Sequence, residues 1–368
     1  MKIAPFIRAI DKYNQHTPDK NIQNILLHTG QHYDDTMSNN FFDALSIPAA
    51  DINLGIGSGT HAEQVGNTMI EFEKVLKKEQ PDWVVVVGDV NATLSCSVTA
   101  KKQNIKLCHI EAGLRSRDMT MPEEINRLVT DRLSDLLLTP DTISSQNLLK
   151  EGVNPERVSF VGNIMIDTLE ANRAKADKLE ISDIIQKNMI NNISKQKYFR
   201  DYALMTMHRP SNVDHVEVLK PLVNFLIDEV SSKLPLVWPV HPRSRKKIEE
   251  FDLWDRLSIT KNIFLLEPID YHEMLRLNKD ATIMLTDSGG LQEECCVLGT
   301  PCLTLRWNTE RPVTLLDNGG SAILVGNNID LIKKRFKEML SMTRNPNKPE
   351  LWDGHTAERC VEAILNYE

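Results

Sequence analysis

Cysteine is scarce in this 368-residue chain, with six residues at Cys96, Cys108, Cys295, Cys296, Cys302 and Cys360. None forms a C-x-x-C pair or a zinc spacing, so neither a disulfide framework nor a metal centre is expected. The cysteines sit in apolar runs, where a thiol behaves as a small hydrophobe in a reducing compartment. Long hydrophobic stretches are also lacking: the block at 84–87 is strand-sized, far short of the roughly 18 residues that span a bilayer. The opening residues are interrupted by charge at Arg8, Asp11 and Lys12 and hold no secretory h-region. Basic excess is absent too. The net charge is −8 and the pI about 5.8, which argues against a nucleic-acid partner. There is no low-complexity tract and no short-period repeat. These absences predict a soluble cytoplasmic protein with no membrane partner.

What is present is ordinary globular composition, with 41% hydrophobic and 26% charged residues. At about 150 residues per domain the length suggests two domains. Short apolar blocks alternate with helical patterns, the signature of parallel sheets covered by helices. Candidate strands fall at 25–28, 83–87, 107–110, 136–138 and 158–161. A second set falls at 203–207, 236–240, 263–266, 282–286, 301–305 and 322–325. Their near-continuous apolar character predicts burial on both faces. The polar segment 170–197 reads as a helix or connector, which puts a boundary near 165–200. Ile3, Phe6, Ile7 and Ile10 recur at helical spacing, so the chain opens on a helix with no strand before it.

Chemistry-bearing residues cluster at predicted strand ends, where open α/β sheets bind ligands. Asp287-Ser288-Gly289-Gly290 links a strand to an amphipathic helix closed by Gly299. Free N–H groups at such a helix start attract phosphate; a Ser288-capped tight turn explains the same residues. Glu294, one turn on, could accept from ribose hydroxyls. Asp89 and Glu111 end adjacent strands, and paired carboxylates suit acid–base work; alternatively Asp89 caps the next helix and Glu111 pairs with Arg115. Pro122-Glu123-Glu124 suits a helix start by dipole alone, with Glu123 and Arg127 on one face at i, i+4. His208 and His241 follow corresponding strands of the second half, as proton carriers or as hydrogen-bonded structural residues.

In this order and spacing the motifs resemble the non-hydrolysing UDP-N-acetylglucosamine 2-epimerases over nearly the whole chain. They are Thr29-Gly30-Gln31-His32, Gly88-Asp89, His109-Ile110-Glu111-Ala112-Gly113-Leu114-Arg115, Pro122-Glu123-Glu124-Ile125-Asn126-Arg127, Asp287-Ser288-Gly289-Gly290-Leu291-Gln292-Glu293-Glu294 and Thr309-Glu310-Arg311-Pro312. The resemblance implies a glycosyltransferase-B-like α/β fold, two Rossmann-like doubly wound domains facing a central cleft. Their expected extents are 1–168, joined by a returning C-terminal helix at 353–368, and 169–352, including a connector at 169–200. It implies inversion at C2 of UDP-GlcNAc by elimination and re-addition of UDP for surface polysaccharide precursors, without cofactor or metal, in a homodimer. Asp89, Glu111 and Glu123 would be the acid–base carboxylates, assisted by Arg127 and His208. Ser288, Gly289 and Gly290 would hold the diphosphate with Lys2, His241 and Arg311, and Glu294 the ribose. Ile269 would frame the uracil, with Met274 where many relatives have an aromatic residue.

Two departures qualify the resemblance. The family opens with a strand and an Arg-bearing loop, whereas Lys2-Ile3-Ala4-Pro5-Phe6 matches the segment after them; the expectation is that about a dozen upstream residues are lacking. Gly57-Ser58-Gly59-Thr60-His61-Ala62-Glu63-Gln64 resembles the branch acting on diacetamido-glucuronate sugars. Such a substrate, a hydrolysing reaction, sugar transfer to an acceptor and a non-catalytic nucleotide-sugar-binding role are the alternatives.

Overall fold

The computed structural model describes residues 1–30, 47–191 and 200–367; Gln31 and His32 of the first motif lie outside them. The chain divides into two compact units, Met1–Glu170 with Pro349–Glu368, and Ala171–Lys348.

In the first unit β1 (Leu27–His28) and β2 (Ile52–Asn53) form a parallel pair. A separate parallel sheet has the order β3 (Trp83–Val87), β4 (Lys106–Ile110), β5 (Leu136–Thr139) and β6 (Val158–Phe160). Ile110 of β4 registers with Val87 of β3, so Gly88 and Glu111 leave the carboxyl ends of neighbouring strands side by side. Side chains alternate between faces along a strand. Val84, Val86 and Leu107 accordingly pack with Phe72, Leu76 and Ala100, while Cys108, Ile110, Leu136 and Leu138 pack with Phe6, Ile10, Cys360 and Val361. The uniform burial expected of all strands fails at β3, which alternates between buried and half-buried, and at β1, β6 and, in the second unit, the strand Ala322–Leu324, where half-buried positions outnumber buried ones. The opening helix, Ile3–His16, buries Ala4, Phe6, Ile7, Ala9 and Ile10, the face its spacing predicts.

The second unit has β7 (Ala203–Thr206), β8 (Leu236–Pro239), β9 (Ile263–Leu266), β10 (Ile283–Thr286), β11 (Cys302–Thr304) and β12 (Ala322–Leu324). All pairings are parallel, in the order β12-β11-β10-β7-β8-β9. This is the doubly wound arrangement, with its switch point between β7 and β10. Ala203, Met205 and Trp238 face one apolar cluster, Leu204, Val237 and Met284 the other. The polar segment after residue 170 is largely helical: Ile164–Ala176 and Ile181–Asn188.

All six cysteines are buried and free. Among the described residues no helix is long and apolar enough to cross a membrane, and no group of His, Cys, Asp or Glu is arranged to hold a metal.

Candidate active site

In the first unit the site grows from the ends of β3 and β4. Gly88 turns the chain with φ of +73°, a conformation that costs glycine little. A Cβ there would lie 3.2 Å from the Lys2 Nζ and 3.5 Å from a Glu111 carboxylate oxygen. Glu111 also has φ of +73°, rare for a residue with a side chain. Its own N–H and that of Ala112 both donate to the Leu138 carbonyl, which holds this bend at the strand end. The Glu111 side chain is buried: Oε2 is paired with Lys2, and Oε1 has no hydrogen-bond partner among the described residues. A buried, unpaired carboxylate oxygen is costly unless something else meets it.

Asp89 does not cap the following helix, Asn91–Lys102, which has Val90 at its N-cap. Its carboxylate instead accepts from Arg127 Nη1 at 2.5 Å. Arg127 is buried on the helix Pro122–Leu133. Arg115, the expected partner of Glu111, pairs with Asp131 and Glu151 instead, because the bend at Glu111 leaves that carboxylate to Lys2.

Glu123, although spaced to share a helix face with Arg127, does not pair with it. Glu124 takes that place, accepting from Arg127 Nη2 at 2.6 Å and from the N–H groups of Ser116 and Arg117 at 2.9 Å each. The loop after Glu111 folds over the i, i+3 position and buries it. Burial pushes the Glu124 carboxyl up, but these donors outweigh it and leave it below the usual range. Glu123 is half-buried and has no partner among the described residues.

In the second unit the site lies at the switch point. Asp287 is fully buried and accepts from the N–H groups of His208 and Arg209 and from Asn212. His208 Nδ1 is 3.1 Å from its carboxylate. Burial raises the Asp287 carboxyl, but His208 and these N–H groups hold it below its ordinary value. Asp287 thus ties the loop after β7 to the loop after β10. Thr206 and Thr286 hydroxyls meet at 2.7 Å across the same strands, and Thr286 accepts from the Ser288 N–H.

Ser288 caps the helix Gly289–Leu298 through the Leu291 N–H. The N–H groups of Gly289 and Gly290 lie in its first turn, where no intrahelical acceptor exists. A Cβ on Gly289 would sit 2.8 Å from Arg311 Nη1 and 3.4 Å from Arg306 Nη1, so two guanidinium groups flank this helix start. They are held by Glu293, 2.6 Å from Arg311 Nε, and by Glu310, 2.6 Å from Arg306 Nη2. Burial opposes ionisation of Glu310, but Arg311 and Arg306 keep its carboxyl far below the usual range.

Glu294 is buried, and desolvation lifts its carboxyl to about 7. Its Oε2 has no well-formed hydrogen bond, and Tyr271 is its phenolic neighbour. The His241 ring lies 5.3 Å from that of His208, and its Nδ1 accepts from the Arg243 N–H. Burial, followed by the neighbouring His208, lowers its pKa. Ile269 and Met274 are partly buried against the same apolar cluster as Leu291.

The residues missed from sequence are the holders: Asp287, Glu124, Tyr271, Arg306, and the fully buried pair His109 and Asp131, which meet at 2.6 Å. For Glu124 the signal was available as an i, i+3 spacing to Arg127. The others meet only through the fold.

The UDP-N-acetylglucosamine 2-epimerase family model matches residues 14–365. A UDP-N-acetylglucosamine 2-epimerase of Methanocaldococcus jannaschii is 44% identical, covering 100% of this chain and 96% of the relative. A UDP-2,3-diacetamido-2,3-dideoxy-D-glucuronate 2-epimerase of Pseudomonas aeruginosa is 35% identical over 98% of this chain and 96% of its own. The crystal structure of the M. jannaschii UDP-GlcNAc 2-epimerase in complex with UDP-GlcNAc and UDP superposes with a TM-score of 0.86 at 43% identity, covering 100% and 96% of the two chains. Strand-end carboxylates, the Ser-Gly-Gly helix start and these full-length matches converge on one family, and the chain belongs to the UDP-N-acetylglucosamine 2-epimerases.

Proposed function

We propose that the protein interconverts UDP-GlcNAc and UDP-ManNAc, and that it does so without hydrolysis. The C2 hydrogen of the sugar is not adjacent to a carbonyl, so direct abstraction is hard. Elimination avoids this: the anomeric C1–O bond breaks with its electron pair leaving on UDP, a carboxylate takes the C2 proton, and a 2-acetamidoglucal remains. UDP then adds back at C1 while C2 is protonated from the opposite face.

The observation that carries this reading is Glu111, whose buried Oε1, beside Lys2 and Gly88 at the carboxyl ends of two parallel strands, has no partner among the described residues. Asp89 and Glu123 supply the further carboxylates that two opposite proton transfers need, with Arg127 holding Asp89. In the second unit the helix start at Gly289 and Gly290, flanked by Arg306 and Arg311, suits a diphosphate. Ser288, His208 and His241 stand at the same sheet edge, Glu294 suits the ribose, and Ile269 and Met274 offer an apolar surface for uracil. Lys2 would add positive charge where the leaving group forms. The diacetamido-glucuronate epimerase among the relatives keeps that sugar as the second reading.

Incubation with UDP-GlcNAc in deuterated water tests the reaction. Deuterium at C2 of both epimers, with no free N-acetylmannosamine, is the expected result. Free sugar as the only product would make the enzyme hydrolysing; turnover without deuterium would refute elimination. The resemblance also leads us to expect a cytoplasmic homodimer, which light scattering of the purified chain tests for its oligomeric state.

A further inference from the structure

We infer that His109 is a positioning residue, one that fixes the end of β3 against the end of β4 and thereby sets the placement of Asp89 relative to Glu111. The inference rests on the function proposed above. His109 is fully buried within β4, two residues before Glu111, and its ring bonds to Gly88 and Asp131, neither of them assigned to substrate. Its Nε2 is 2.9 Å from the Gly88 carbonyl, the peptide unit that leads into Asp89. Its Nδ1 is 2.6 Å from Asp131 Oδ1. The other oxygen of Asp131 accepts from the Gly113 N–H at 3.0 Å and from Arg115 at 2.6 Å.

The partners orient the ring. A carbonyl oxygen can only accept, so Nε2 must donate. Asp131 is fully buried, which by itself would push its carboxyl up; the His109 and Arg115 donors outweigh that and hold it below its ordinary range. His109 thus bridges one strand end to the helix Pro122–Leu133 that carries Arg127 and Glu123. Asp131 reaches the loop on the far side of Glu111 through Gly113, whose φ is +82° and whose Cβ would collide with the Ser144 backbone at 2.4 Å. One His–Asp pair therefore ties down the peptides on both sides of the carboxylate cluster. A displacement of about 1 Å at reacting groups can cost about 10²-fold in rate.

The test compares His109→Leu, His109→Gln and Asp131→Asn with the parent enzyme in kcat, KM, melting temperature and amide hydrogen exchange. His109→Leu is expected to lower kcat by about 10²-fold with KM little changed, and to speed exchange at residues 88–91 and 111–113. His109→Gln, which retains a donor toward Gly88, should recover part of kcat. The double variant His109→Leu/Asp131→Asn should be no worse than the poorer single one, as for groups acting as one unit. Wild-type kcat and exchange in His109→Leu would overturn the inference. So would a loss that merely follows the folded fraction equally in the Leu and Gln variants. If the parent enzyme forms no epimer, the functional reading fails on that control, and the exchange data alone decide whether His109 holds the strand ends.

Discussion

Glu294→Gln separates the cost of a buried carboxylate from its use. In the folded chain desolvation raises this carboxyl from 4.5 to about 7. A raised carboxyl means that the folded state binds the proton more tightly than the unfolded state does. Its contribution to stability is therefore intact below pH 4.5 and is lost progressively as pH rises from 4.5 to 7. At 1.36 kcal/mol per pKa unit, the interval from 4.5 to 7 corresponds to about 3 kcal/mol at pH 8. Gln has nearly the same shape and no charge, so it avoids that loss. Urea denaturation at pH 4.5 should show parent and variant close together, and by pH 8 the variant should be more stable by up to about 3 kcal/mol. UDP affinity should move the other way. If the ionised carboxylate accepts the ribose hydroxyls, binding of UDP to the parent should strengthen as pH rises through about 7, and calorimetry on the variant should show weaker and nearly pH-independent binding. A stability difference that is constant from pH 4.5 to 8, or a variant less stable throughout, would refute the reasoning.

Glu124→Gln leaves buried Arg127 half-paired and should cost about 3–5 kcal/mol in denaturant unfolding, whereas Glu123→Gln should leave stability unchanged and lower turnover by about 10²–10⁴-fold; equal stabilities would contradict the pairing described. Asp89→Asn should lower turnover over the same range with UDP affinity in calorimetry nearly intact, and near-normal turnover would remove Asp89 from the proton-transfer groups. Gly289→Ala puts a methyl 2.8 Å from Arg311 Nη1 and should weaken UDP binding by at least about tenfold, or 1.4 kcal/mol; unchanged affinity would count against the helix start as the diphosphate site.

Strand positions were legible because parallel strands read as plain apolar runs, as at 263–266, where β9 is buried throughout, and at 83–87, where β3 keeps the run although only alternate side chains are fully buried; both have these same bounds. β2 left no trace, since two residues carry no pattern. Among the strand-end residues, Gly88, Asp89 and Glu111 could be found because topology alone sends strand ends to one edge. Glu124 was passed over for Glu123: helix spacing allows both to reach Arg127, and the choice is made by a loop whose N–H groups come from Ser116 and Arg117. Asp287 was read as part of a phosphate turn, yet it turns inward to the next strand's loop. Such partners are 78 residues apart in sequence, and no local period encodes them.

The closing segment gives the two units different histories during synthesis. The second unit is one continuous stretch, Ala171–Lys348, so its sheet can form while the last residues are still inside the ribosome. The first unit cannot finish then. The first two N–H groups of its helix Thr356–Leu365 donate to the Asp167 carboxylate, Trp352 donates to the Pro140 carbonyl, and Cys360 and Val361 complete the cluster around Phe6 and Ile10. These contacts span most of the chain, so the part made first is sealed last. Until that segment has emerged, the opening helix lacks part of its apolar cover, and the nascent chain depends for that interval on whatever shields it from aggregation.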